Sequence, residues 1–260
     1  PAAPSVRRHR GLAVAVALFL GIAAFALTIF RARFAWLALL ITAPLSLAVY
    51  VHGTTVTVEK AVLVGAALGL ACVPHRLLAL RNRRFLWLGG ALVVVIASMC
   101  ASTATAAYAN ASLREIAKAI EYLAVFAVAL IAYACDGSDK TLRNALAWTS
   151  LIVALFALVQ EFAGAPQGTT IAGHTFPRIA GLLDGPNQLA GFLDIAMSIP
   201  LASLCFGRAN AIERIALLFG VPALLLTFSR GGIFGFFVTA AFLLLLRERP
   251  GQRRTFAWRA

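Results

Sequence analysis

Two arginines stand among long apolar segments, where their charge could hold an anion. Arg178 opens the sequence Arg-Ile-Ala-Gly that ends at Gly181, and Arg230 follows Ser229 in Ser-Arg-Gly-Gly. An arginine keeps its charge in any protein environment, and a charge at membrane depth is costly unless an opposite charge accompanies it. The planar guanidinium also matches phosphate oxygens well. The two motifs therefore predict a binding site for a phosphate-bearing anion.

Each arginine lies beside a predicted helix N-terminus. The sequence Asp-Gly-Pro-Asn at 184–187 is a helix-start signal, and Ser229 is the predicted N-cap of a helix that begins at Arg230. The free N–H groups and the dipole of two helix N-termini would favour a diphosphate. Asn187 is predicted either to cap its helix or to bridge to another one. The alternative for each arginine is a side chain that only extends to the membrane surface.

A third polar group is predicted on one helix face, where Arg114, Lys118 and Glu121 follow at intervals of four and three residues. These residues could extend the anion site, with Glu121 holding Lys118 in place. They could equally form an interfacial ion pair that anchors the helix.

Three further residues are candidates with open alternatives. Asp194 lies seven residues after Asn187, on the same helix face and about 10 Å deeper. It would pair with an arginine or bond to a neighbouring helix. Glu161 is another candidate partner for an arginine. His174 could act as a base, although a loop histidine without a positioned partner is more often solvated.

Composition indicates an integral membrane protein. The chain is 61% hydrophobic and 13% charged, with a mean hydropathy of +0.88, whereas soluble domains carry roughly 25% charged residues. Apolar runs of about 20 residues recur, each long enough to cross a bilayer as a helix. We therefore expect an all-α fold, a polytopic transmembrane helical bundle with about nine spans. The predicted spans are 11–30, 34–51, 59–74, 85–103, 116–135, 142–163, 187–206, 212–228 and 231–247.

Charge predicts the orientation, because basic residues concentrate in cytoplasmic loops. With nine spans, four basic loops share one side, which we take as cytoplasmic, and the segment 164–186 and the turn at Ser229 lie outside. The basic N-terminal tail would then also lie outside, which suggests a miscounted or re-entrant span near the start. The basic residues of the four loops are Arg76, Arg81, Arg83, Arg84, Lys140, Arg143, Arg208, Arg214, Arg247, Arg249, Arg253 and Arg254.

Several classes of partner are not expected. The net charge of +13 comes mostly from short loops beside the spans, where it sets topology and contacts anionic lipid, so we expect no nucleic-acid partner. The four cysteines fall in apolar runs without close spacing, so neither a disulfide framework nor a metal site is predicted. The external segment 164–186 is rich in Gly, Thr and Pro and is predicted to form no regular element.

The motifs resemble those of the O-antigen ligase and O-antigen polymerase family. Residues 178–181 with 186–190 are similar to that family's R-x-x-G…P-N-x-x-A segment, and 226–232 to its L-T-x-S-R-G element. Residues 113–123 resemble the helix that precedes them. The order and spacing of these motifs agree over roughly residues 85–247.

The resemblance implies a glycosyltransferase of the bacterial inner membrane with a periplasmic active face. Such proteins pass a glycan from undecaprenyl diphosphate to an acceptor glycolipid or growing glycan, without a metal or other cofactor. It implies that Arg178 and Arg230 hold the diphosphate, with Gly181, Asn187 and Ser229 beside them and Arg114 and Lys118 as further substrate-binding candidates. The family's large periplasmic loop, with the histidine thought to act as base, would come after Ala260. We therefore expect residues 1–260 to be one transmembrane domain, either a fragment that lacks this loop or a shortened member, and we assign no catalytic residue within it.

Three rival interpretations remain. A transporter or flippase of a lipid-linked or anionic substrate would explain many spans and intramembrane charges, but such proteins usually show repeats and a midplane site. A structural scaffold would not need Arg178 and Arg230. A metal-dependent lipid-linked glycosyltransferase would need acidic ligands in an outer loop, where only Asp184 is well placed.

Overall fold

The computed structural model describes residues 4–44, 48–51, 54–81, 83–103, 109–164, 167–171 and 174–247. Across these residues the chain forms nine α-helices, one 3-10 helix and two short β-hairpins. The chain divides between Ser138 and Asp139 into two compact units, except that Pro44 groups with the second.

The first unit holds five α-helices. Helix α3 begins at Val58 and is capped by the preceding residue, Thr57. The side-chain oxygen of Thr57 accepts a hydrogen bond from the Lys60 amide at 3.4 Å. The elements are α1 (Pro4–Phe30), α2 (Arg33–Thr42), β1 (Ala48–Val51), β2 (Thr54–Thr57), α3 (Val58–Ala71), the 3-10 helix (Pro74–Arg81), α4 (Arg83–Thr103) and α5 (Ala109–Asp136).

Small residues allow α1 and α3 to cross closely. Gly65 of α3 lies against the backbone carbonyl of Gly21 in α1, and one turn later Gly69 lies against Phe25 and Thr28. A side chain at Gly65 would collide with the carbonyl oxygen of Gly21. Glycines four residues apart are the pattern that lets helix backbones approach in membranes. The absence of a side chain at Gly65 and Gly69 therefore allows α1 and α3 to pack with their backbones in contact.

The second unit contains α6 (Asp139–Ala163), β3 (Gln167–Ile171), β4 (His174–Arg178), α7 (Pro186–Cys205), α8 (Ala211–Leu226) and α9 (Arg230–Arg247). Its core is formed by apolar side chains from α6, α7, α8 and α9. Gly220 of α8 provides room for the Met197 side chain of α7, and Gly232 of α9 lies against Ala190 of α7.

One end of the second unit carries a buried polar cluster. Glu213 is fully buried and closes a capping box with Asn210 at the start of α8. Its carboxylate also lies 3.7 Å from the Nε atom of Arg143 in α6. Asn210 donates a hydrogen bond to Asn144 at 2.7 Å. These contacts tie the first turns of α6 and α8 together at the end of the unit that carries basic residues.

Four helices within the described residues are long and apolar enough to cross a membrane: Glu115–Asp136, Asp139–Ala163, Pro186–Cys205 and Arg230–Arg247. The chain is thus helical with several candidate membrane spans. The predicted second span, 34–51, is not one helix, because α2 ends at Thr42 and β1 begins at Ala48. Pro44 lies in this break, where a proline disfavours helix for the residue before it.

The prediction for residues 164–186 was also wrong in part. They include the antiparallel hairpin of β3 and β4, in which Gln167 pairs with Arg178 and Thr170 with Thr175. Threonine, isoleucine and phenylalanine favour strands, and this short pattern outweighs the glycine and proline content of the segment. Pro177 fits because an edge strand tolerates a residue without an N–H donor.

Candidate anion-binding site

Arg178 connects the end of the hairpin to two other elements of the second unit. Its Nε atom donates a hydrogen bond to the backbone carbonyl of Thr227 at 2.8 Å. One terminal nitrogen donates to Oδ1 of Asn187, in the first turn of α7, at 3.0 Å. The contact with Asn187 is exposed at the surface. The two hydrogen bonds therefore fix the orientation of the guanidinium. Its remaining N–H groups can still donate to a ligand.

The residue after Arg178 anchors the chain in the core. Ile179 is fully buried among α6, α7 and α8 side chains. Its amide also lies 3.5 Å from the carbonyl of Leu226, the last residue of α8. Because Ile179 is anchored in the core, the backbone of the preceding residue, Arg178, has a defined position at the end of the hairpin.

A glutamine from α6 holds the turn that follows. Oε1 of Gln160 accepts hydrogen bonds from the amides of Ala180 and Gly181, both at 2.8 Å. Gly181 has a φ of +62°, a conformation that L side chains rarely adopt. A Cβ atom there would also lie 3.2 Å from the Cβ atom of Ala157. Glycine at 181 thus serves backbone geometry and close packing.

The N-terminus of α7 lies beside the Arg178 guanidinium. Gly185 is the N-cap in an extended conformation, and Pro186 occupies the first helical position, where its missing N–H costs nothing. Asn187 accepts its hydrogen bond from Arg178 of β4, so the structure shows it neither as the N-cap, which is Gly185, nor as a bridge to another helix. The positive end of the α7 dipole adds to the field at the guanidinium.

The turn between α8 and α9 contains three residues, Thr227, Phe228 and Ser229. The hydroxyl of Thr227 donates to the carbonyl of Leu224 at 2.7 Å and accepts from the Ser229 amide at 3.1 Å. Phe228 has a φ of +49°, an uncommon conformation for a non-glycine residue. Ser229 is buried and lies directly before α9, and its carbonyl accepts a hydrogen bond from the Ile233 amide at 2.9 Å. The side-chain hydrogen bonds that shape the turn belong to Thr227.

Arg230 is the first residue of α9 and is exposed. It forms no hydrogen bond or ion pair with any residue in the described part of the chain. Its neighbour Gly231 has open space where a Cβ atom would lie. Arg230 is thus a permanent charge three residues after Thr227, whose carbonyl binds Arg178.

The third predicted group belongs to the first unit and is arranged differently from the prediction. Lys118 forms an ion pair with Glu115 at 2.7 Å, and both side chains are more than half exposed. Glu121 instead pairs with Lys60 of α3 at 3.3 Å. The expected pairing of Lys118 with Glu121 was wrong, because α3 offers Glu121 a nearer cation. The side chain of Arg114 lies outside the described residues.

The remaining candidates are not joined to the arginines. Asp194 faces α9, where its Oδ2 atom lies 2.7 Å from the position of a Cβ atom at Gly235, and its Oδ1 atom is buried without a hydrogen bond within the described structure. Glu161 also forms no ion pair with a described residue. The side chain of His174 lies outside the described residues. In the described ranges no three His, Cys, Asp or Glu side chains are grouped to hold a metal ion.

Gln160 and Thr227 hold the site together, but no role was predicted for either, although Thr227 lies within the motif 226–232. Gln160 is a polar residue at the end of an apolar run, next to Glu161, and Thr227 stands at the end of another such run. Such polar residues in apolar segments are a usable signal, although their partners are not predictable from sequence.

Comparison with known proteins does not assign the chain to a family. No family model matches the chain, and neither a curated protein nor a solved structure is significantly similar to it.

Proposed function

We propose that the protein is a membrane glycosyltransferase similar to O-antigen ligases. It would move a glycan from undecaprenyl diphosphate to a sugar hydroxyl at the periplasmic face of the inner membrane, without a metal. The observation that carries this proposal is the placement of Arg178: Asn187 binds it at the N-terminus of α7, and it also donates to the carbonyl of Thr227, three residues before Arg230. The short motifs that resemble the family contain these same residues.

The proposed reaction explains why two fixed cations are useful. The acceptor oxygen attacks the anomeric carbon of the donor sugar, and the bond from that carbon to the diphosphate oxygen breaks. Negative charge increases on the departing diphosphate, and cations that are already oriented stabilise it more in the transition state than in the ground state. The acceptor proton passes to a base that we assign to none of these residues.

The test is replacement of each arginine in the full-length protein. Arg178→Lys and Arg230→Lys keep the charge but lose the planar N–H fork, and we expect glycan transfer from an undecaprenyl diphosphate donor to fall about 100-fold. Transfer should be measured with purified protein, after membrane abundance of each variant is shown to be normal. Arg208→Lys is the matched control, because Arg208 is exposed at the opposite end of the second unit. Unchanged transfer by both arginine variants would refute the proposal.

A transporter or flippase of an anionic or lipid-linked substrate is the second candidate. Asp194 favours it, because its Oδ1 atom is buried without a hydrogen bond to any described residue, and an intramembrane carboxylate of this kind is typical of transport pathways. Under our proposal, Asp194→Asn retains most of the transferase activity in detergent solution. A transporter would instead lose substrate movement across vesicles in this variant and would show no transfer in detergent.

A further inference from the structure

A basic cavity lies at one end of the first unit, where three chain segments meet. It measures about 550 Å³ and is formed by the junction after α1, the start of the 3-10 helix and the end of α5. The positive-inside rule predicts that the basic segment of the 3-10 helix and the basic loop after α5 are cytoplasmic, and the cavity brings the end of α1 to the same place. The lining residues are Phe30, Arg31, Ala32, His75, Arg76, Cys135 and Asp136.

Arg76 is held in place by the end of α1. Its terminal nitrogens donate to the backbone carbonyls of Thr28 and Ile29, the second at 3.1 Å. The carbonyl of Arg76 in turn accepts a hydrogen bond from the Cys135 thiol of α5 at 3.6 Å. Because both ends of Arg76 are fixed, the wall of the cavity is formed before any ligand arrives.

The charges in and around the cavity favour an anion. Asp136 is the acidic lining residue, and Arg33 lies 3.9 Å from its carboxylate and offsets its charge. Arg31 is exposed and forms no hydrogen bond through its side chain and no ion pair with any residue that the structure describes. Together with Arg76 it leaves the cavity with an excess of positive charge.

The border of the cavity is apolar and faces outward. Phe30, the last residue of α1, is 79% exposed, and Phe19 and Ile22 on the same helix are similarly open. Such residues contact acyl chains when the helix lies in a bilayer. A cationic cavity beside an acyl-facing surface matches a molecule with a phosphate head and a hydrocarbon tail.

We propose that this cavity binds the phosphate group of an anionic phospholipid, with Arg31 contacting the phosphate and Arg76 forming the fixed wall. Basic pockets between helix ends on the cytoplasmic side are suited to anionic head groups. The site is independent of the proposed transferase activity, because no residue of the anion-binding site in the second unit takes part in it.

The test compares lipid retention by the purified full-length protein. Protein in nanodiscs of phosphatidylcholine with 20% phosphatidylglycerol (about one lipid in five) would be extracted, and the retained lipid quantified by native mass spectrometry. We expect phosphatidylglycerol to be retained in preference to phosphatidylcholine. Arg31→Gln should weaken this preference about fivefold, the effect of one surface cation on an anionic lipid. Arg31 is exposed, so the variant should fold.

Arg208→Gln is the control, because it removes an exposed basic residue near a helix end that does not line the cavity. Equal losses in the two variants, or no preference for phosphatidylglycerol in the wild-type protein, would overturn the proposal. A further arm adds inorganic phosphate. If millimolar phosphate displaces the lipid and binds in its place with the same dependence on Arg31, the cavity is a site for free phosphate and the lipid assignment is wrong.

Discussion

Two hydrogen-bond acceptors fix the orientation of the Arg178 side chain. The Thr227 carbonyl takes the Nε–H group and Asn187 takes one terminal N–H, so the plane of the guanidinium is set by two elements that are distant in sequence. A lysine in the same place has no fork and could satisfy only part of this arrangement. The geometry therefore predicts that the type of cation, and not only its charge, matters for the proposed site.

Gln160 provides a test of how the turn after Arg178 is held. Gln160→Leu leaves the amides of Ala180 and Gly181 without their acceptor, and we expect a loss of about 2–6 kcal/mol in stability because each of the two unpaired amides costs roughly 1–3 kcal/mol. Thermal unfolding in detergent would measure it. Gln160→Glu keeps an acceptor oxygen and should lose far less.

Gln188→Leu is the control for Gln160, since Gln188 is an exposed amide in the first turn of α7. If Gln160→Leu unfolded at the same temperature as this control, the turn would not depend on the glutamine.

The sequence identified the charged residues of the site but not the contacts that hold them. Arg178, Arg230 and Asn187 stand out because polar groups are rare in apolar segments and cluster at predicted helix starts. The partner of Glu121 was assigned wrongly, because Lys60 lies in a distant helix and only packing brings it within 3.3 Å. The same limit applies to Gln160, whose partners are backbone amides twenty residues away.

The packing of α1 on α3 depends on a position without a side chain. In Gly65→Val the new side chain would collide with the carbonyl of Gly21, so the two helices must separate. We expect a loss of about 1–3 kcal/mol, typical of overpacking, and less folded protein in the membrane. Fluorescence-detected size-exclusion chromatography after mild heating would measure both.

Gly89→Val in α4 is the matched control, because a Cβ atom at Gly89 meets no atom within 4 Å. Equal behaviour of the two variants would show that the close crossing contributes nothing.

At the level of elements, long apolar runs predicted the later helices well. The prediction 142–163 corresponds to α6 (Asp139–Ala163), and 187–206 corresponds to α7 (Pro186–Cys205). The first part of the chain was harder, because strand-forming residues adjoin apolar helices there. An apolar run alone does not distinguish a helix that continues from a helix followed by a strand, which is how the predicted span 34–51 included both α2 and β1.

For the whole molecule, the orientation in the membrane is a prediction that labelling can test. In a variant without native cysteines, single cysteines would be placed at the exposed positions Asp184, Lys140 and Arg208. The positive-inside rule predicts that an impermeant maleimide labels Asp184→Cys in intact spheroplasts and labels the other two only after permeabilisation. Labelling of Asp184→Cys and Lys140→Cys under the same conditions would contradict the topology.

The hydrogen bond from Arg178 to the carbonyl of Thr227 has a consequence for how such sites diverge. Every residue type supplies a backbone carbonyl, so mutation at position 227 can preserve this bond as long as the path of the chain is kept. Homologous proteins could thus retain the same arginine geometry although the sequence around the arginine has diverged. Relatives of this protein would then be found more readily by the spatial relation of an arginine, a helix N-terminus and a carbonyl than by alignment of side chains.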